Sequence, residues 1–327
     1  MKMMDLSSLG WTESELFSPA QPDAAAVEHI AAPAYSYWRS VWRLFFGKKI
    51  NVVLLLLLAV LLIFTFAYPA LIGYDPEIDP YENLLDAGSK HLSPRQAIDR
   101  YGFHLRWILG TGAAGQSTFD AVWFGAGISV SLALICATIN MTVGILVGAV
   151  WGFSRRVDVF MTEVYNIIAN VPYILLISVL VLILSAGFWT IVLALTITGW
   201  IGIAYFIRTQ VILIRDREYN LASRCLGSPM RRIIVRNILP YMTSVIVTLA
   251  AAEIPSYISY EVFLSYIGMG LKEMSLGRLI GAAQSAMLTP GWELEFWSPV
   301  AVASVIAVVL YVLGQNLGDA SDPRRHI

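Results

Sequence analysis

Two carboxylates in apolar surroundings are the residues of this chain best placed for chemistry. Glu253 and Glu261 interrupt an otherwise uncharged stretch from 241 to 267, eight residues apart and near one helical face. A charge in hydrocarbon is costly and usually faces a bundle interior or a cavity. Pro255 lies between them and can kink a helix, freeing backbone carbonyls. Such a face can line a path for a polar solute, a carboxylate meeting an amine or an amide. The same residues would also suit a structural ion pair, or for Glu261 a helix end or a gate. Glu163, Asn166 and Asn170 make a second polar stripe at i, i+3 and i+7, just before Pro172. It reads either as the lining of an exit or as interhelical hydrogen bonding.

Catalytic and metal chemistry have no such foothold. The four histidines, His29, His91, His104 and His326, are scattered, and none falls in an apolar run. Cys136 sits in an apolar run and Cys225 in a basic one, so a disulfide is not expected. No Gly-x-x-x-x-Gly-Lys-Ser/Thr loop is present to cradle a nucleotide phosphate. We therefore expect no catalytic residue, no metal and no cofactor in this chain.

The elements that must position these residues are membrane spans. The 327 residues are 57% hydrophobic and 14% charged, with mean hydropathy +0.67. A soluble domain is about 25% charged, so the deficit points to a bilayer as the main solvent. A net charge of −1 leaves no footprint for nucleic acid. A span needs about 20 apolar residues. Uncharged runs cover 50–74, 121–154, 164–207 and 296–318, and 241–267 is broken only by the two glutamates. The 164–207 run suits two helices with a tight turn at 185–189, giving six spans and an all-α polytopic chain. The first run should remain as an anchor, because the preceding 49 residues are polar.

Lysine and arginine set the orientation. With the N-terminus inside, inner segments hold 16 of the 22 basic residues, including seven arginines from Arg208 to Arg236. Both termini are then cytoplasmic. The resulting division is a tail over 1–49, an anchor over 50–74, an outer loop over 75–120, a five-helix core over 121–318 and a tail over 319–327. Tyr35, Trp38, Trp42 and Phe45, beside Arg39 and Arg43, predict a helix in the membrane interface before the anchor. The long polar outer loop suits either partner docking or a passive cap. Gly144 and Gly148 have the spacing of close helix packing.

The inner segment from 208 to 240 is the most informative. Residues 218–226 allow about two helical turns, and Gly227 can end them in a left-handed conformation. Ser228 and Pro229 suit the start of a second helix. Ile233, Ile234 and Ile238 give that helix an apolar side, and Pro240 marks the return to the membrane. Tyr219, Ala222 and Leu226 fall on one stripe that can enter a groove. From spacing alone, partner docking and an ordinary basic loop are equally good readings.

This segment resembles the cytoplasmic loop of inner-membrane subunits of ABC importers, whose pattern is Glu-Ala-Ala, three residues, Gly, then Ile-x-Leu-Pro. Ala222, Gly227, Ile238, Leu239 and Pro240 match; Leu221 stands for the Glu and Ser223 for the second Ala. Three further stretches are similar to the dipeptide and oligopeptide branch: Trp107 to Gly112 to its Phe-Gly-Thr-Asp, Glu261 to Gly270 to its Glu-Ala-Ser-Leu-Ser-Phe-Leu-Gly-Leu-Gly, and Gly314 to Arg324 to its Asn-Leu-x-x-Asp-x-x-Asp-Pro-Arg. The start, Ala32 to Trp38, is similar to the oligopeptide permeases of Gram-positive bacteria. The resemblance spans about residues 32–324 and implies the type I importer permease fold (MetI-like). It implies the second, C-type permease subunit of an oligopeptide importer in a bacterial cell membrane. It further implies a homologous permease as heterodimer partner, two ATP-binding subunits that carry ATP and Mg2+, and an extracytoplasmic peptide-binding lipoprotein. Glu218, Tyr219, Ala222, Ser223, Leu226 and Gly227 would contact the ATPase. Glu253, Glu261, Asn166 and Asn170 are the candidates for the translocation path. Dipeptides or nickel chelates are the alternative cargo, and a self-contained secondary transporter is the alternative class.

Overall fold

The computed structural model describes residues 36–76 and 87–322, and every contact discussed below lies in one compact unit beginning at Trp38. Tyr35 of the aromatic stripe, most of the outer loop's acidic residues, and Arg324 and Arg325 lie outside the described residues. Among those described, the chain is helical, with one isolated bridge, Thr111 to Ser117, and no strand.

A short helix, α1 (Tyr37–Gly47), buries Val41 and Phe45 and exposes Trp38 and Trp42. It ends where the side chain of Asn51 donates to the Phe45 carbonyl at 2.7 Å. The anchor, α2 (Lys49–Leu62), continues through a wide turn, Ile63–Ala67, into Tyr68–Ile72. That turn comes just before Pro69. A second wide turn, Ile234–Ile238, comes just before Pro240. In each, an i+5 bond (Tyr68 to Ile63, Leu239 to Ile234) replaces the tighter ladder that a proline ring would obstruct. The outer segment carries α3 (Pro94–Tyr101), opened by a Ser93–Gln96 capping box.

The core begins with α4 (Thr118–Phe153), 36 residues and about 54 Å long. A turn at Ser154 leads to α5 (Arg155–Ala169) and α6 (Tyr173–Leu184), bent 75° from one another. Next come α7 (Phe188–Ile197) and α8 (Gly199–Arg215), one span broken at Thr198. The 208–240 segment forms α9 (Glu218–Cys225) and α10 (Met230–Ile233). Then follow α11 (Thr243–Tyr266), α12 (Leu276–Ala282) and α13 (Glu293–Ala320). Among the described residues, five stretches are long and apolar enough to span, α7 and α8 together forming one of them, and the bent pair α5–α6 makes a sixth. The expected third span is therefore not straight. Pro172 disfavours helical geometry at Val171, so the chain turns there. Pro255 interrupts nothing: α11 runs through it.

Helices in lipid have no hydrophobic drive toward one another, so close backbone approach must hold them. Gly144 faces Ile203 and the Trp200 carbonyl. Gly148 faces Ala204 and Ile207, and Gly152 faces the Arg208 carbonyl and Val211. These three glycines form one seam between α4 and α8. A second seam sets Gly314 and Gly318 of α13 against Ala251 and Thr248 of α11.

A Cβ at Gly148 would lie 2.5 Å from the Ala204 carbonyl oxygen and 2.8 Å from Ile207 Cβ, atoms that cannot swing away. Gly148→Val should therefore destabilise the chain by at least about 1–3 kcal/mol, read as a lower unfolding midpoint in detergent. Gly202→Ala, where nothing lies within 4 Å, is the matched control and should not lower it.

Candidate functional site

The two intramembrane carboxylates part company. At 3.6 residues per turn, eight positions leave them about 80° apart around α11. Glu261 is fully buried, at 0% exposure, between α4, α11 and α12. It accepts hydrogen bonds from Ser275 Oγ (2.5 Å), Ser129 Oγ (2.9 Å), Ser265 Oγ (3.1 Å) and the Gly277 backbone N–H (3.3 Å). Ser129 Oγ also accepts from the Leu276 N–H, and Ser275 Oγ caps α12 by accepting from the Arg278 N–H. A carboxylate is an acceptor-only group, and four donors match it. Glu261 thus bolts the start of α12 to α4 and α11, and in this conformation it faces no open path.

Glu253 instead lines a cavity of about 440 Å3 near the middle of α11. Tyr173, Tyr257, Tyr260, Ser256 and Thr198 share the wall. The hydroxyl of Tyr257, one helical turn along α11 from Glu253, accepts from Asn140 Nδ2 at 2.6 Å. Asn140 Nδ2 and the Tyr173 hydroxyl both donate to the Leu195 carbonyl, at 3.1 and 2.7 Å. Leu195 lies in the last turn of α7, where carbonyls lack helical partners. Val171 and Pro172 at the α5–α6 bend line the same cavity. Asn166 and Asn170 do not: they lie on the exposed side of α5, where Asn170 Nδ2 donates to the Asn166 carbonyl.

At the other end of α4 stands the 208–240 segment. Glu218, Tyr219, Ala222, Leu226 and Gly227 are exposed and Ser223 is half-buried. Leu226, at 86% exposure, touches little of its own chain. Gly227 adopts φ +74°, the left-handed conformation its type favours. The Gly227 N–H bonds the Arg224 carbonyl and the Ser228 N–H bonds the Ser223 carbonyl, closing the end of α9. Ser228 does not cap α10, as its position suggested; Pro229 takes the preceding place and Ser228 completes the turn before it. The buried faces are strongly tied. Asn220 Nδ2 donates to the Ile214 carbonyl at 2.9 Å and its Oδ1 accepts from Asn237 Nδ2 at 3.1 Å. Arg215 Nη1 donates to the Gly152 carbonyl at 2.7 Å, and the Arg224 guanidinium lies 4.6 Å from the centre of the Phe153 ring. Ile233, Ile234 and Ile238 are buried against Ile207, Val211 and Ile214. An exposed helix held this tightly from behind can receive a push and pass it to α4 and α8.

Residues 140–327 match the family described as binding-protein-dependent transport system inner membrane component. The chain belongs to this family. Residues 36–94 match the N-terminal TM domain of oligopeptide transport permease C. The chain is 42% identical over 316 residues to the oligopeptide transport system permease protein AmiD of Streptococcus pneumoniae, covering 96% of this chain and 98% of that one. It is 30% identical to the oligopeptide transport system permease protein OppC of Bacillus subtilis, covering 94% and 97%. It is 31% identical to the dipeptide transport system permease protein DppC of Lactococcus lactis, covering 91% and 94%.

Within this family fold, sequence reasoning missed Asn140, Asn220, Arg215 and the cavity tyrosines. Asn140 has a readable signal: it lies four residues before Gly144 on the same stripe. Arg208, counted above only among the inner arginines, is paired with Asp158 of α5.

Glu261→Gln replaces an acceptor with a group whose amide must point a donor at other donors. The variant should lose roughly 1–3 kcal/mol of stability. Limited proteolysis of 268–275 and the detergent unfolding midpoint both report it, and an unchanged midpoint would remove Glu261 from the bolt.

Proposed function

We propose that this chain is the C-type permease subunit of an ATP-driven importer that carries oligopeptides across the bacterial cell membrane. The relative at 42% identity, matched almost end to end, supports that cargo. In this reading a homologous permease completes the pore. Two ATP-binding subunits, holding ATP and Mg2+, drive it from the cytoplasm, and an extracytoplasmic peptide-binding lipoprotein delivers cargo. Both termini and the 208–240 segment are cytoplasmic, in line with the arginine distribution. The 75–120 segment is outside, α1 lies in the inner interface, and this chain hydrolyses nothing itself.

The observation that carries the mechanism is the contrast between the two faces of α9. Its outer stripe, Tyr219, Ala222 and Leu226, is exposed, while Asn220 behind it is at 0% exposure and tied to α8. The stripe enters a groove on an ATPase subunit. When ATP draws the two ATPases together, the paired segments approach and the permeases exchange inward-facing for outward-facing states. The ligand acts only through its different affinity for the two states. Glu253, in its mid-span cavity, contributes to the path the peptide takes.

Leu226→Asp places a charge in the groove without touching the chain's own packing. The permease should accumulate and fold normally, while recovery of the ATPase subunits with it and peptide uptake both fall at least about tenfold, as for loss of an interface anchor. Full recovery of the ATPases with normal uptake would overturn the docking role of α9.

A further inference from the structure

The cavity around Glu253 has more specificity than a wetted wall requires. We propose that it is a binding subsite for the primary ammonium group of the transported peptide, an inference that rests on the oligopeptide reading above.

Three observations converge. First, Glu253 is the one charged group among the residues lining the cavity. Second, its surroundings are built: Asn140 holds the Tyr257 hydroxyl, and Tyr257 stands one helical turn from Glu253 on the same cavity wall. Asn140 is itself fixed by the Leu195 carbonyl and packs against Gly199, where a Cβ would fall 2.6 Å from Asn140 Nδ2. Third, the walls are aromatic. Tyr173 and Tyr260 meet edge to face at 5.3 Å between ring centres, and Tyr257 and Tyr260 lie 6.2 Å apart. Ring faces beside a carboxylate suit a cation that has shed part of its water.

Helix dipoles do not reverse this preference. The α5–α6 bend and the α7–α8 break both open on the cavity, and each presents one helix C-terminus and one N-terminus. Their partial charges offset one another, and the carboxylate sets the sign. Broken spans meeting near the middle of the membrane are also where solute sites are built in other transport folds, because irregular backbone at that depth must face protein or a water-filled cavity.

The test is uptake by cells carrying the whole importer, with its own binding protein and ATPases. Three labelled peptides of one length are compared: one with a free N-terminus and no lysine, its N-acetylated form, and an N-acetylated form bearing one lysine. In the unaltered importer the free-amine peptide should be carried faster than the plain acetylated one. Glu253→Gln should lower that ratio about tenfold, the order of one charge-assisted contact, by slowing the free-amine peptide and not the plain acetylated one. If only the lysine peptide slows, the subsite stands and the ammonium it takes is the side chain's. Equal slowing of all three peptides, or of none, would overturn the subsite. So would the absence of any preference in the unaltered importer. Where the glutamine protein fails to assemble, Tyr260→Leu, which keeps the carboxylate and removes a ring, should lower the same ratio several-fold, and an unchanged ratio overturns the proposal. Failure of the unaltered importer to carry any of the peptides would instead sink the oligopeptide reading.

Discussion

The close approach of α4 to α8 is the contact on which the rest of the core depends. It runs along one stripe at four-residue spacing: Asn140, Gly144, Gly148 and Gly152 on α4, facing Gly199, Ile203, Ala204, Ile207, Arg208 and Val211 on the partner. Without side chains between them, the two backbones meet at distances that dispersion alone can hold in lipid. The stripe has an attachment at each end. At one end Asn140 fixes the Tyr257 hydroxyl beside the cavity, and at the other the Gly152 carbonyl receives Arg215 just before α9. Twelve residues separate the two, about 18 Å of helix. The exposed helix α9 and the mid-span cavity are therefore attached to one rigid pair of helices.

Unmet backbone groups shape what the seam leaves open. Each break in a span exposes carbonyls that lipid cannot satisfy. At the α7–α8 break the Leu195 carbonyl takes two side-chain donors, Asn140 and Tyr173, from two different helices. The polar groups that line the cavity are thus partly there to satisfy the irregular backbone. Glu261 meets the same demand in another way: one acceptor serves three serine hydroxyls and the N–H of Gly277, all needed to hold the start of α12.

How much of this was legible in the sequence depended on whether the signal was local. Gly227 was readable because a left-handed helix end needs only its own residue type, and the structure gives it φ +74°. Gly144 and Gly148 were readable as a spacing, and Ile233, Ile234 and Ile238 as a periodicity that becomes buried. The spans were legible as uncharged runs, but the 75° bend within one of them was not, because hydropathy has no term for direction. Glu253 and Glu261 looked alike along the chain and differ by the neighbours that folding brings to them. Ser129 is 132 positions from Glu261, and Asn140 is 117 positions from Tyr257. Asn220 was hidden for a similar reason: its value lies in Asn237 and the Ile214 carbonyl, which only the turned segment brings within reach.

These attachments constrain how such a core can change shape. Separating α4 from α8 would open a seam in which the backbones approach closely over about two helical turns, and would pull Arg215 from Gly152. Sliding one along the other would drive Ile203 or Ile207 over a glycine gap shaped for it. The α5–α6 pair is held differently. Within this chain α5 buries no residue, and α6 buries Ile177, Ser178 and Val181. Its ties to the rest include the Arg208–Asp158 pair, the Trp151 indole N–H to Asp158 and the Tyr173 hydroxyl to Leu195. Polar contacts of this kind can be exchanged for water or for a partner's groups at little net cost, whereas a glycine seam has no substitute partner. A displacement of α9 would therefore carry α4 and α8 together. The cavity, with one wall on α8 and α11 and the other at the α5–α6 bend, lies where that rigid pair meets the least tightly packed span.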